Sequence, residues 1–408
     1  MTRVATWAFG FGYAVAWAIL GWLWRGPLTD LDDFFLPAVR IALGGHPLMV
    51  YAVRFQSLIA NDNGPLALVP LTAVGALASW LGGGDDARLF RTLVLGVFSI
   101  FILLMAREAV AAIDRLRGAR LDGLSRILPY GIVAASPIVL ISVLGYGHVE
   151  QPMTLWLVLF AVRRLAEGRS KAAGVSIGLA LLTRSLAALP LIPLGLVLLT
   201  RGRWRVAAWL AGIAAFIVAL GLAPFVLADP TNTIYSLLTH RGSLPVSGGS
   251  IWQLLVGTPY QWVPQHLDVL LVFGLAVLLS LVVILVRRDL EPSSRDFYGL
   301  LALTALTLPL LAKSIWPYYF LDAYVFGAIW WLGPPSPLAW PSRTIGALLP
   351  LIATIGTLLT EYQMGTIPRQ QRLIEGVLEG AIVAVLIAAL AIRLRTRCEN
   401  PRVPALTS

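Results

Sequence analysis

TDLDDFFLPAVRIALGGHPLMVYAVRFQSLIANDNGPLALVP, residues 29–70, lies between two apolar segments and holds three carboxylates within four positions: Asp30, Asp32 and Asp33. Only 13% of the chain is charged, and acids gathered beside a membrane span are costly unless they serve a function. Behind them runs Phe34, Phe35, Val39, Ile41, Ala42 and Leu43, closed by Gly44-Gly45. That pattern predicts an amphipathic helix over 34–43, lying on the bilayer surface rather than crossing it. The loop reads as the catalytic face of a membrane-embedded enzyme.

The rest of the chain supports a membrane setting. Of 408 residues, 58% are hydrophobic, with a mean hydropathy of +0.80. A water-soluble domain cannot cover so much apolar surface, so the fold class is an all-α polytopic membrane protein, a single integral domain over 1–408. The first apolar run, 7–24, lacks a small-residue cleavage site and reads as a retained span. A lone Cys398 excludes an internal disulfide. The net charge of +10 does not point to nucleic acid. The arginines fall in short clusters between apolar runs: Arg163/Arg164/Arg169, Arg201/Arg203/Arg205, Arg287/Arg288 and Arg393/Arg395/Arg397. Such clusters mark cytoplasmic loops. The loop 229–265 has Arg241 as its one cation and is assigned to the opposite, extracytoplasmic side, together with Asp30.

About ten to twelve transmembrane helices are expected on hydropathy. Run 65–81 returns inward, 92–105 follows, then a basic linker over 107–126, then 127–144 and the polar knot GYGHVEQ at 145–151. Strict alternation would put His148 in the cytoplasm and the basic linker outside. Both conflicts disappear if one run between 65 and 105 does not cross fully. The stretch 171–199 is too long for one span and too short for two, and Thr183-Arg184-Ser185, Pro190 and Pro193 interrupt it. It reads as a re-entrant hairpin turning at Arg184, which then points into a cavity. Later runs are 206–227, 269–286, 297–311 and 323–331, with a C-terminal helix pair in 343–393. Trp316, Trp330 and Trp331 read as interface-belt residues.

Three polar stations are candidates for chemistry: the Asp30 loop, the His148/Glu150/Gln151 knot, and the cations Arg184, His240, Arg241 and Lys313. Carboxylates facing cations suit transfer from a phosphate-bearing donor, with an acid taking a proton and cations stabilising the leaving phosphate. Each has a plainer reading. Asp32 and Asp33 fit as N-terminal caps of the surface helix, Arg184 as half of a salt bridge, and Lys313 as a snorkelling side chain. Asp32, Asp33 and Glu150 also keep open a metal-assisted variant with Mg²⁺ or Mn²⁺; otherwise no cofactor is expected.

Asp30-Leu31-x-x-Phe34, with Gly44 further on, resembles the opening motif of the polyprenol-phosphate-dependent GT-C glycosyltransferases. The similarity is greatest to the mannosyltransferase-like family 87, with the protein O-mannosyltransferases as neighbours. Asn63-Gly64-Pro65-Leu66, Gly147-His148-Val149-Glu150, LLTRSLAALPLIPL and SIWPYYFLDAYVF resemble later motifs in the same order, over roughly residues 7–335. Asn63-Gly64 replaces an aromatic-proline pair, Arg184 a lysine, and Phe34 a tyrosine. The resemblance implies a GT-C fold and an enzyme of cell-envelope biosynthesis in the inner (plasma) membrane. It implies transfer of mannose, or another hexose or pentose, from a polyprenyl-phosphate donor to an extracytoplasmic glycolipid, polysaccharide or protein, with inversion. In that frame Asp30 is the general base and Asp33 the second catalytic candidate. Asp32, His148, Glu150, Gln151, Arg184, His240, Arg241, Lys313 and Tyr318 bind substrate. The rival is a secondary transporter or lipid flippase, which requires ionisable residues at matched, repeated positions; the sequence has no such repeat.

Overall fold

The computed structural model describes residues 3–26, 28, 30–52, 63–83, 86–121, 123–246, 249–333 and 369–395. All regular structure among them is helical. Helix α1 (Arg3–Leu23) packs antiparallel on α4 (Ala87–Arg117). Glycines set their approach: a Cβ on Gly21 would lie 2.7 Å from the Leu95 side chain, and one on Gly96 3.3 Å from Ala18. Small residues of this kind let membrane helices meet closely. At the loop end, the Arg88 guanidinium donates to the Trp22 carbonyl and stacks 4.0 Å above its ring.

The expected surface helix is present and begins earlier than the hydrophobic pattern suggests. A π-helical turn, Leu31–Phe35, runs straight into α2 (Leu36–Leu43), and Asp30 already has helical angles (φ −70, ψ −38). Leu31, Phe35, Leu36, Ala38 and Val39 form its buried face.

Helix α3 (Pro65–Trp80) corrects the inward pass expected over 65–81. Its 16 residues reach about 24 Å, short of a hydrocarbon core of about 30 Å. Both its ends stay on the Asp30 side. The Gly64 amide donates to the Thr183 carbonyl (3.0 Å), Gly75 abuts Val39 and Phe90, and α4 starts a few residues after Trp80 beside Trp22. This is the run that does not cross. The basic linker expected over 107–126 is likewise revised: its first half continues α4 to Arg117, with Glu108, Ala109, Ala112 and Ile113 buried.

Next comes one broken span: α5 (Gly123–Ala134), α6 (Pro137–Leu140) and the π turn Ile141–Gly145. Helix α7 (Glu150–Ala166) then descends parallel to α4, joined to it by Phe101–Trp156 (5.8 Å) and by the ion pair Arg163–Glu108 (2.6 Å). The hairpin follows as α8 (Ser170–Thr183) and α9 (Ala188–Thr200), with Arg184 extended between them (φ −155, ψ 128). Helix α10 (Trp204–Ala228) runs parallel to α8, with Gly174 against Ile213, Gly178 against Ile217 and Gly221 against Leu182.

Short helices α11 (Pro230–Ile234) and α12 (His240–Ser243) cover the loop end. Helix α13 (Trp262–Val286) returns, and α14 (Arg295–Ala305) with α15 (Thr307–Leu311) forms a second broken span. They are followed by α16 (Phe320–Leu332) and α17 (Arg369–Arg395). Helix α17 is the second of the C-terminal pair; the first lies outside the described residues. Ala87–Arg117, Arg126–Gly145, Trp204–Ala228, Trp262–Val286 and Arg372–Arg395 are long and apolar enough to cross a membrane. Arginines gather at the end of the bundle away from Asp30, where Arg163 and Arg164 pair with Glu167, Arg201 and Arg203 with Glu291, and Arg287 with Asp296. Trp316 and Trp330 do not share a belt. Trp316 packs on Tyr146 at the loop end (5.9 Å), while Trp330 is buried at the arginine end and donates to Asp296 (3.3 Å).

Candidate functional site

The centre of the site is a chain of three ionisable side chains, Asp30, His148 and Glu150. His148 is 4% exposed. Its Nδ1 lies 2.6 Å from Glu150 Oε1, and its Nε2 lies 2.9 Å from Asp30 Oδ2, at an angle short of a hydrogen bond. Glu150 opens α7, where a carboxylate faces the positive end of the helix dipole. Gly147 makes the meeting possible. It has φ +77, and a Cβ there would lie 2.8 Å from the Leu31 amide nitrogen, while the Asp30 amide donates to the Tyr146 carbonyl (2.9 Å). Gly147→Ala adds left-handed strain of roughly 1 kcal/mol or more and forces the knot off the Asp30 turn. We expect a lower melting temperature and loss of most activity; unchanged values of both would refute this tight fit.

Burial works against a charged His148, yet the carboxylates of Asp30 and Glu150 outweigh it and raise the imidazole to about 9. The folded value lies above the ordinary one near 6.5, so the stabilisation is full below about 6.5 and is lost as pH rises through about 9. A melting-temperature series from pH 6 to pH 10 is expected to decline between about 6.5 and about 9 and to level off above that in the wild type, and to lose that step in His148→Gln. An identical step in the variant would assign the transition to another group.

The other two acids diverge. Asp32 accepts the Leu28 amide (2.9 Å) and forms a bidentate pair with Arg91, whose Nε lies 2.6 Å from Oδ1. Asp33 has no hydrogen-bond or ion-pair partner among the described residues; burial, with Asp32 and Asp30 nearby and Arg91 opposing, raises its carboxyl above the usual range. Both acids lie in the first turn of the helix, where the plainer reading places them and carboxylates are favoured, though among the described residues no capping hydrogen bond from either to the helix amides is present. With Asp32 held by Arg91 and Glu150 by His148, the three acids considered for Mg²⁺ or Mn²⁺ do not converge; no cluster of three potential metal ligands forms among the described residues.

Beside this chain lies a small cavity, with room for about one water molecule, lined by Gln151, Arg184, Leu189, Leu308, Tyr319 and Asp322. Arg184 is 7% exposed, and its guanidinium lies 5.4 Å and 6.0 Å from the rings of Tyr318 and Tyr319. Its side chain makes no hydrogen bond or ion pair with any described residue, so the salt-bridge reading of Arg184 does not apply. Tyr318 also packs on His148, with ring centroids 3.6 Å apart. It is therefore the shared wall between the acid chain and the guanidinium. Gln151 is fixed at both ends: Oε1 accepts from Ser142 (3.0 Å), while Nε2 donates to the Tyr318 carbonyl (2.9 Å) and to Asp322 Oδ1 (2.8 Å).

No known protein-family profile and no curated protein sequence matches this chain. Among solved structures, the chain is similar to the crystal structure of ArnT from Cupriavidus metallidurans in the apo state, at 15% identity and a TM-score of 0.49, over 96% of this chain and 78% of that one. A likeness that distant leaves the functional reading to the residues.

Asp30, His148, Glu150, Gln151, Arg184 and Tyr318 thus converge, with Asp32 and Asp33 on the adjoining turn. Lys313 sits at the turn before α16. It is 1% exposed, which rules out snorkelling; its amide donates to Asp268 Oδ2 and its Nζ to the Gln265 carbonyl, both at 3.3 Å. That docks the α15–α16 turn onto α13. His240 is buried beside Tyr235 (6.1 Å). The Arg241 side chain lies outside the described residues. Sequence reasoning missed Asp322, Ser142 and Arg91. Asp322 carried a usable signal, a carboxylate inside an apolar run.

Proposed function

We propose that the protein is a GT-C-type glycosyltransferase that moves a sugar from a polyprenyl-phosphate donor to an acceptor hydroxyl on the extracytoplasmic face of the inner membrane. The observation that carries this is Arg184, a guanidinium at the apex of a membrane hairpin, buried with no protein anion in contact and open to a cavity beside three carboxylates. A cation in that position calls for an anionic partner, and a planar fork of five donors suits phosphate.

In this reading Arg184 holds the donor phosphate, and Asp30, oriented by the His148–Glu150 pair, faces the acceptor. The acceptor oxygen attacks the anomeric carbon as its proton passes to Asp30. The carbon–oxygen bond to phosphate breaks, its electron pair leaves with the phosphate, and the configuration inverts in one displacement. Asp33, unpaired on the next turn, is the second candidate to take the proton. Arg184 is the cation this reading places on the phosphate, while Lys313 contacts α13. Mannose, other hexoses and pentoses remain the donor sugars to test, and glycolipids, polysaccharides and proteins the acceptors.

The test is turnover by purified full-length protein in nanodiscs, without an ion gradient, using polyprenyl-phospho-mannose, -glucose and -arabinose with a mixture of envelope acceptors. Release of polyprenyl phosphate with an inverted glycoside product is expected. Gradient-dependent movement of the intact donor, with no bond cleavage, would favour the transporter or flippase reading instead.

A further inference from the structure

Arg184 and Asp322 line the same cavity with opposite charges, yet they form no ion pair within 4.0 Å. Two such groups facing each other across a low-dielectric space attract strongly, so their separation needs a cause. Each is fixed from behind. Asp322 Oδ1 accepts from Gln151 Nε2 (2.8 Å), and Gln151 is itself anchored by Ser142 and by the Tyr318 carbonyl. Arg184 lies against the faces of Tyr318 and Tyr319, on a backbone tied to α8 through the Ala180 carbonyl (2.9 Å). The remaining wall is apolar, formed by Leu186, Leu189 and Leu308. A group bound between them therefore meets donors on one side and a carboxylate acceptor on the other. An anion alone would be repelled by Asp322, and a cation alone by Arg184. A phosphate bearing a hydroxylated ring satisfies both once the side chains around this small cavity open to admit it.

We propose that Asp322 is a specificity-determining residue, accepting a hydrogen bond from a hydroxyl of the donor sugar that lies next to the phosphate held by Arg184. This rests on the glycosyl-transfer reading above and deepens it. Gln151 is the positioning residue that aims Asp322. With water kept from the apolar wall, a donor lacking that hydroxyl leaves the carboxylate facing the phosphate unpaired, and a site of this kind discriminates strongly against such analogues. Recognition at one hydroxyl is what a single fixed carboxylate can supply; the other positions of the ring are left to groups elsewhere in the site.

The experiment compares kcat/KM for the best-used polyprenyl-phospho-sugar with its monodeoxy analogues, in wild type, Asp322→Asn and Asp322→Glu, all full length in nanodiscs. In the wild type, one deoxy analogue is expected to fall by about 10²-fold or more while the others stay near the parent. In Asp322→Asn, which keeps an acceptor for Gln151 but presents an amide to the cavity, that gap is expected to close to within about tenfold through loss of the parent sugar's advantage. Asp322→Glu keeps the charge opposite Arg184 and moves the acceptor by one methylene, so it too narrows the gap. If the wild type uses all deoxy analogues equally, the proposal is overturned without any variant. It is overturned as well if Asp322→Asn or Asp322→Glu slows every donor alike and preserves the gap, the mark of a general electrostatic role. If the wild type cleaves no member of the parent panel, it is the glycosyl-transfer reading that fails, and this proposal with it.

Discussion

Asp30→Asn is expected to lower kcat by about 10² to 10⁴, the usual range for loss of a general base, with donor binding little changed. The substitution keeps the side-chain shape and leaves an oxygen that can still face His148 Nε2, now 2.9 Å from the carboxylate. What it removes is the capacity to accept a proton. The three acids of the loop provide internal controls because their surroundings differ. Asp32 is bound to Arg91 and the Leu28 amide, so Asp32→Asn should loosen the loop and lower the melting temperature, with a smaller effect on rate in the protein that remains folded. Asp33 has no partner among the described residues and a raised carboxyl, so it is the sharper competitor. Asp33→Asn is expected to cost much less than Asp30→Asn. A dead Asp33→Asn with an active Asp30→Asn would reverse the assignment, making Asp33 the base and the His148-bound Asp30 its electrostatic support. Single-turnover rates at saturating donor, with separate measurement of donor affinity, decide between them.

Much of this arrangement was legible where the sequence breaks its own pattern. Arg184 interrupts an apolar run with prolines behind it, and a hairpin apex is the simplest way to place such a residue in a membrane. The amphipathic turn after Asp30 was legible for the same reason, although its start was misplaced because Leu31, Asp32 and Asp33 join the helix as a π turn. The charge pattern required one run between 65 and 105 to stop short, but that it is helix α3 was not legible. Its composition is that of a crossing helix, and only contacts far away in sequence, Gly64 with Thr183 and Gly75 with Val39, hold both its ends on one side. The pairing of Asp30 with His148 spans more than a hundred residues, with no local periodicity to announce it. Lys313 illustrates a weaker kind of signal. Its rarity in the chain drew attention, but rarity says nothing of partners, and contacts to Asp268 and Gln265 could not be read from it.

Arg184→Ala is expected to raise the donor KM by about tenfold or more. A charge-assisted hydrogen bond to phosphate contributes roughly 1.5–3 kcal/mol, and each 1.4 kcal/mol is about tenfold in affinity. The true loss should sit toward the upper end, for an electrostatic reason. Glu150 and Asp322 both face the guanidinium, so its removal leaves a cavity of net negative charge to receive an anionic donor. Arg184→Lys keeps the charge and should recover part of the affinity, though not the bidentate geometry that a planar fork provides. The kinetic signature separates this residue from Asp30: loss at Arg184 falls first on donor affinity, and loss at Asp30 on the chemical step. A structural role would look different again. If Arg184 served only to balance buried carboxylates, Arg184→Ala would lower the melting temperature and the active fraction while the surviving enzyme kept its donor KM. Measuring melting temperature, active-site titre and donor KM on the same preparations distinguishes the two. An alanine variant with an unchanged donor KM would remove the phosphate from the hairpin apex, and with it the observation on which the glycosyl-transfer reading chiefly stands.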